Sequence, residues 1–171
     1  QLRFEYWLDP NIAETVSVDD VRLGQILNNF INNAIKFTHA GQIRLAVDVL
    51  SDSPTEQQIC FSIADSGVGI DKASQSKLFQ AFVQADESTN RKFGGTGLGL
   101  TISHQLVQQM QGEITVNSEL GKGSCFRVIV TLPVLAPTQK QTLADKRCLL
   151  LGDLLQRDDI LAYLQDWQVD S

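Results

Sequence analysis

The stretch RKFGGTGLGLTIS, residues 91–103, constrains this chain more than any other. It places Gly94, Gly95, Gly97 and Gly99 within six positions and runs directly into LGLTISHQLVQQM, whose spacing predicts a helix ending at Gly112. Glycine is poor in a helix interior and costly to order, so this much backbone freedom at a helix mouth calls for a reason. Gly95, Gly97 and Gly99 would leave backbone N–H groups unobstructed at a helix N-terminus, where the macrodipole favours anions. Cradling of phosphate is one reading, and a flexible hinge is the other. Two other phosphate loops are excluded. The chain has no G-x-x-x-x-G-K-[ST], and neither Gly67/Gly69 nor Gly95/Gly97/Gly99 continues into G-x-G-x-x-G.

The rest of the chain alternates strand and helix signals. LRFEYWL (2–8) sets Leu2, Phe4, Tyr6 and Leu8 at a period of two, which predicts a strand. From Asp19 to Phe37 the period becomes helical, with Asp19 or Asp20 as cap and Leu23, Leu27, Phe30, Ile31 and Ala34 as the apolar face. Strands are predicted over 42–50 and 58–64, across the turn SDSPTEQQ. DSGVGI and a short helical stretch, SQSKLFQAF, come next, then a polar stretch over 84–93. EITVNS and SCFRVIVTLP read as two closing strands after the glycine-led helix. Past Pro133 the composition shifts. VLAPTQKQTLADK (134–146) reads as a linker, and RCLLLGDLLQRDDILAYLQDW as one strand and one helix, too little to bury its own apolar face. We therefore expect one complete α/β domain over 1–133 and the start of a second at 147–171.

With 171 residues and 43% hydrophobic content, the chain can build one real core. Its net charge of -6, without a basic cluster, argues against nucleic acid or anionic membrane as a partner. No apolar run approaches a membrane span, and no signal peptide opens the chain. Cys60, Cys125 and Cys148 lack metal-like spacing, which favours a reduced, cytoplasmic setting. The chain opens on Gln1 rather than Met, which we read as a piece excised from a longer protein.

Two further constellations carry chemistry. On the helix DDVRLGQILNNFINNAIKFT, at about 100° per residue, Arg22, Gln25, Asn29, Asn33 and Lys36 share one stripe opposite the apolar face. A solvated face explains Arg22 and Lys36. It explains the asparagines less well, since surface helix positions favour Glu, Lys, Gln or Arg. Amide oxygens at i and i+4 can hold Mg²⁺ together with water and phosphate oxygens, and a lysine on the same stripe can reach a phosphate. In CFSIADSGVGI (60–70) a strand ends at Asp65, with Gly67 and Gly69 after it. A turn and a cap would account for these residues. A functional reading has the carboxylate accept from an amine while the glycines let a planar ring approach the backbone.

Taken together and in this order, the three constellations resemble the catalytic ATP-binding domain of sensor histidine kinases, of the family shared with type II topoisomerases, the Hsp90 chaperones and MutL. NNFINNAIKFT resembles the N box, DSGVGI the G1 box, KLFQAF the F box and GGTGLGL the G2 box. GKGSCFRV is similar to the last glycine-rich element. The resemblance covers residues 1–133. It implies a Bergerat-type ATP-binding fold, an α+β two-layer sandwich with a mixed sheet and helices on one face. It implies ATP and Mg²⁺ as cofactors, with Asn29 and Asn33 on the metal, Lys36 on the phosphates and Asp65 on the adenine amino group. Gly67, Gly69 and Ile70 belong to the implied base site, Ser124 to the adenine edge, and Phe37 either lines the base pocket or packs in the core. Gly95, Thr96, Gly97, Leu98, Gly99 and Leu100 would border the phosphates. Residues 83–94 would form a mobile ATP lid, with Arg91 and Lys92 as phosphate contacts or merely solvated. Phe79 and Phe82 would anchor the lid and meet a partner domain.

The ATP-hydrolysing members of that family resemble Glu-x-x-x-Asn-x-x-Asp on this helix, where this chain reads Asn29, Asn33 and Lys36. An amide cannot act as a general base at neutral pH, so the resemblance implies a kinase awaiting an external nucleophile. Catalysis would rest on Asn29, Asn33 and Lys36. His39 and His104 lack a motif like S-H-E-x-R-T-P, which places the acceptor histidine in a separate helical dimerisation domain. The C-terminal fragment is similar to the first strand and helix of a receiver domain, with Gly152-Asp153 where an acidic pair is expected. A hybrid sensor kinase follows, homodimeric as a whole, monomeric as this fragment, and the cytoplasmic part of an inner-membrane sensor. The rivals are a regulatory pseudokinase that only binds nucleotide and a related ATPase.

Overall fold

The computed structural model describes residues 1–79 and 98–137. Phe82, Arg91, Lys92, Gly95, Thr96, Gly97, the 83–94 lid and the 147–171 fragment lie outside the described residues.

Six strands and three helices are described. They are β1 (Leu2–Leu8), β2 (Thr15–Val16), α1 (Asp20–Phe37), β3 (Gly41–Asp52), β4 (Glu56–Asp65), α2 (Lys72–Gln75), α3 (Gly99–Gln109), β5 (Glu113–Glu119) and β6 (Gly123–Ala136). The strands form one mixed sheet in the order β1-β3-β4-β6, with β2 and β5 both paired to β6. β1 runs parallel to β3 and every other pairing is antiparallel. The two-residue β2 has no periodic signal in the sequence. Its partner β6 continues to Ala136, three residues past the boundary expected at Pro133.

α1 starts where its cap requires. Asp19 Oδ1 accepts from the Arg22 N–H at 3.0 Å, which satisfies one of the orphan donors of the first turn. Its fully buried positions, Ile26, Phe30 and Ala34, recur every four residues and lie on the sheet. Phe30 meets Phe126 of β6 with ring centroids 5.2 Å apart. Ile43, Val47, Ile59, Phe61, Ile63, Val128, Val130 and Leu132 complete the inner face, with Val107 from α3. Alternation along β1 holds as predicted, but its apolar side chains do not reach the core. Phe4 and Tyr6 pair with Ile43 and Leu45 in register, yet remain 54% and 68% exposed at the sheet edge.

Candidate functional site

The site forms where the sheet's inner face ends, beneath the last turns of α1 and the first turn of α3. Asp65 is the final residue of β4 and pairs with Ser124, the second residue of β6, in antiparallel register. Its side chain is half-buried. Its Oδ1 accepts from the Gly67 N–H at 2.8 Å and lies 3.5 Å from Thr38 Oγ1. Burial pushes the Asp65 carboxyl above its ordinary value, while the amides of Gly67 and Ser124 and the Thr38 hydroxyl pull it part of the way back. Ser124, only 8% exposed, shares a 2.9 Å hydrogen bond with Ser118 of β5. Ser118 Oγ also accepts from the Ile70 N–H at 2.8 Å and donates to the Gly123 carbonyl. Thr38 and Ser118 are site residues that sequence reasoning missed. Thr38 directly follows Phe37, but only the fold brings it over Asp65.

The glycines after Asp65 sit where neighbouring chain leaves no room for a side chain. A Cβ on Gly67 would strike the Phe37 carbonyl and come within 2.8 Å of Asp65 Oδ1. Gly69 has φ of +69°, and a Cβ there would strike the Glu119 carbonyl. Both positions are closed by the chain itself, by backbone and side-chain oxygens at Gly67 and by backbone at Gly69. The small residues allow the loop to clamp against the end of α1 and the β5–β6 turn, an arrangement that Val68 N–H to Phe37 O and Gly121 N–H to Val68 O complete. Gly123, at φ of +110°, is pressed in the same way against the Asp65 carbonyl.

Above the sheet end, α1 presents Asn29, Asn33, Lys36 and Phe37, all half-buried. Asn29 Nδ2 donates to Ser103 Oγ of α3 at 2.9 Å, and its Oδ1 lies against Gly99 at the mouth of that helix. Lys36 Nζ sits 5.0 Å from the centroid of the Phe37 ring. Phe37 is not part of the buried core. α3 starts with Leu98 at its N-cap position, whose own side chain makes no capping hydrogen bond. Leu100 packs toward the core, and Phe79 stacks on His104 of α3 at 5.3 Å between centroids. Among the described residues no group of three or more His, Cys, Asp or Glu side chains could cage a metal. The donor set on α1 consists of amide oxygens, hard ligands that suit Mg²⁺ when phosphate oxygens complete the shell. Cys60 and Cys125 are free thiols, and burial raises the Cys60 thiol further above its ordinary range.

Comparison with known proteins places the chain in a family. Residues 18–135 match the family model described as histidine kinase-, DNA gyrase B-, and HSP90-like ATPase. The hybrid signal transduction histidine kinase B of Dictyostelium discoideum is 46% identical over 120 residues, 70% of this chain and 6% of that protein. The signal transduction histidine-protein kinase BarA of Escherichia coli K12 is 42% identical over 142 residues, 80% of this chain and 16% of its own length. The chain thus spans a small part of the curated relatives it matches. The crystal structure of full-length ShkA in complex with AMPPNP superposes with a TM-score of 0.76 at 27% identity, covering 99% of this chain and 34% of that one. A nucleotide-free catalytic domain of the histidine kinase ThkA gives 0.57 at 26% identity, over 78% of this chain and 80% of that domain.

Proposed function

Because the chain belongs to the histidine kinase-, DNA gyrase B-, and HSP90-like ATPase family, we propose that it is the ATP-binding catalytic domain of a hybrid sensor histidine kinase. It would transfer the γ-phosphoryl group of ATP to a histidine of a separate helical dimerisation domain, with a receiver domain following at its C-terminal side. The observation that carries this reading is the amide at position 29. Asn29 stands on the site face of α1 with its Nδ2 spent on Ser103, and an amide cannot abstract a proton from water. The site therefore suits holding a nucleotide until an outside nucleophile arrives.

In this reading Asp65 accepts from the adenine amine. Asn29 and Asn33 offer amide oxygens to Mg²⁺, Lys36 offers its ammonium to the phosphates, and the first turn of α3 supplies N–H donors. Asn29 and Asn33 would hold Mg²⁺, which would supply positive charge against the phosphates. The bond that forms joins the acceptor imidazole nitrogen to the γ-phosphorus. The bond that breaks joins that phosphorus to the β,γ-bridging oxygen, which leaves with ADP, and the imidazole proton passes to solvent. The chain's own contribution is position and charge, without a base. No described helix is long and apolar enough to cross a membrane, and we place the domain in the cytoplasm. We take the catalytic unit to run through Ala136, where β6 ends, with the linker after it and 147–171 as the start of the receiver-like domain.

Labelled ATP supplied to this chain together with the helical domain provides the test. Acid-labile, base-stable label on the helical domain is expected, at low efficiency because separated domains lose the effective concentration of a tether. Label on this chain itself, or brisk phosphate release without a partner, would overturn the reading.

A further inference from the structure

Asn29 is held in a slot that the function above does not explain. Gly99 and Ser103 lie one helical turn apart on the same face of α3, and the Asn29 side chain crosses from α1 into the space between them. Ser103 is 1% exposed although its hydroxyl is polar, and its Oγ accepts from Asn29 Nδ2 at 2.9 Å across 74 residues of sequence. A Cβ on Gly99 would strike Asn29 Oδ1 and lie 3.1 Å from Cγ and 3.3 Å from Nδ2. The glycine there makes room for this one side chain.

We infer that Ser103 is a positioning residue, which with Gly99 fixes the rotamer and the amide orientation of Asn29 so that the carbonyl oxygen, not the NH₂, faces the mouth of α3. A terminal amide has two ends of similar shape and opposite hydrogen-bonding character, and only the oxygen can ligate a cation. A buried serine within a helix can return its own proton to a backbone carbonyl of the preceding turn, which leaves Oγ as an acceptor. An acceptor at that point selects the NH₂ end of Asn29 and turns Oδ1 outward. Groups that orient a metal ligand in this way affect metal affinity by roughly 10–100-fold. The inference rests on the reading of Asn29 as a magnesium ligand.

The test measures ATP affinity by calorimetry with and without Mg²⁺, alongside thermal melting, for Ser103→Ala, Ser103→Thr, Gly99→Ala, Asn29→Ala and the double variant Asn29→Ala/Ser103→Ala. Ser103→Ala should cut the Mg²⁺-dependent gain in affinity by about 10-fold while leaving Mg²⁺-free binding near the parent value. Ser103→Thr, which keeps the hydroxyl, should restore most of that gain. Gly99→Ala should lose the gain while the melting temperature holds or rises, since alanine is the better helix former and the displaced atoms end a flexible side chain. In the Asn29→Ala background, Ser103→Ala should change nothing further, because its effect runs through Asn29. Additive losses in that cycle, or an unchanged magnesium dependence in Ser103→Ala beside a clear loss in Asn29→Ala, would overturn the positioning role alone. An unchanged magnesium dependence in Asn29→Ala would overturn the ligand assignment as well.

Discussion

Asp65→Asn separates binding from stability, and the structure sets the direction of both. The Oδ1 of Asp65 is already occupied by the Gly67 N–H at 2.8 Å, with Thr38 Oγ1 at 3.5 Å. An asparagine will keep its oxygen on those donors, which turns Nδ2 to where the carboxylate offered its second oxygen. A donor then faces the adenine amine, itself a donor. The loss combines a charge-assisted hydrogen bond, about 1.5–3 kcal/mol, with the penalty of an unsatisfied pair, about 1–3 kcal/mol. Allowing for partial solvent access at a half-buried position, we expect about 2–4 kcal/mol, or roughly 30–1000-fold in ATP affinity. The loss should appear with and without Mg²⁺, and it should narrow the preference for ATP over GTP, whose 6-oxo group is an acceptor.

Stability should move the other way. Burial raises the folded-state pKa of Asp65 above its ordinary value of 3.8. In the window from that value upward, the folded chain retains a proton that the unfolded chain has released, so stability falls as pH rises through the window and stays lower above it. Asparagine has no such charge to desolvate. The nucleotide-free variant should therefore melt at or above the parent at neutral pH, and the difference should shrink as pH falls through the window. Calorimetric titration and scanning calorimetry at several pH values check the two halves. An unchanged ATP affinity, or a variant less stable than the parent at neutral pH, would refute the reasoning.

Two further outcomes follow from the same geometry. Asn33→Ala removes an amide oxygen from a half-buried position outside the core, so the Mg²⁺-dependent part of ATP binding should fall about 10-fold while the melting temperature stays near the parent's, both read in one titration and melt series. Gly123→Ala sets a side chain at φ of +110° against the Asp65 backbone, with the Asp65 carbonyl carbon 2.8 Å and Ser66 Cα 2.9 Å from the new Cβ. Strain and overpacking together should remove about 2–5 kcal/mol, seen as a lower urea midpoint at unchanged slope, with adenine affinity lost in parallel.

Much of this protein is legible in local pattern, for reasons that are themselves local. The cap at Asp19, the placement of Phe30 and Ala34 on the inner face of α1, and the strands β3, β4 and β6 depend on periodicities that the backbone imposes on any chain. Ile26, outside the expected face, is nonetheless buried, while Leu23, Leu27 and Ile31 are only partly so. The candidate site was legible as a set of residue types because Asn29, Asn33 and Lys36 share one helix stripe and Asp65 directly precedes the Gly67 and Gly69 pair. Long-range choices were not. Alternation predicted β1, but Phe4 and Tyr6 stay exposed because burial depends on which elements cover the sheet edge. β2 exists only because β6 offers it a partner. Gly67 is closed in by the end of α1 and Asp65, Gly69 by Glu119, and Gly123 by Asp65 and Ser66, contacts set mostly by chain distant in sequence. Thr38 and Ser118 join the site, and Ser103 meets Asn29 across 74 residues, through helix packing and strand register. Sequence alone determined which side chains could hold a nucleotide, since donor chemistry belongs to the residue. Tertiary structure alone decided which way those side chains are turned, since orientation belongs to the partner that holds them.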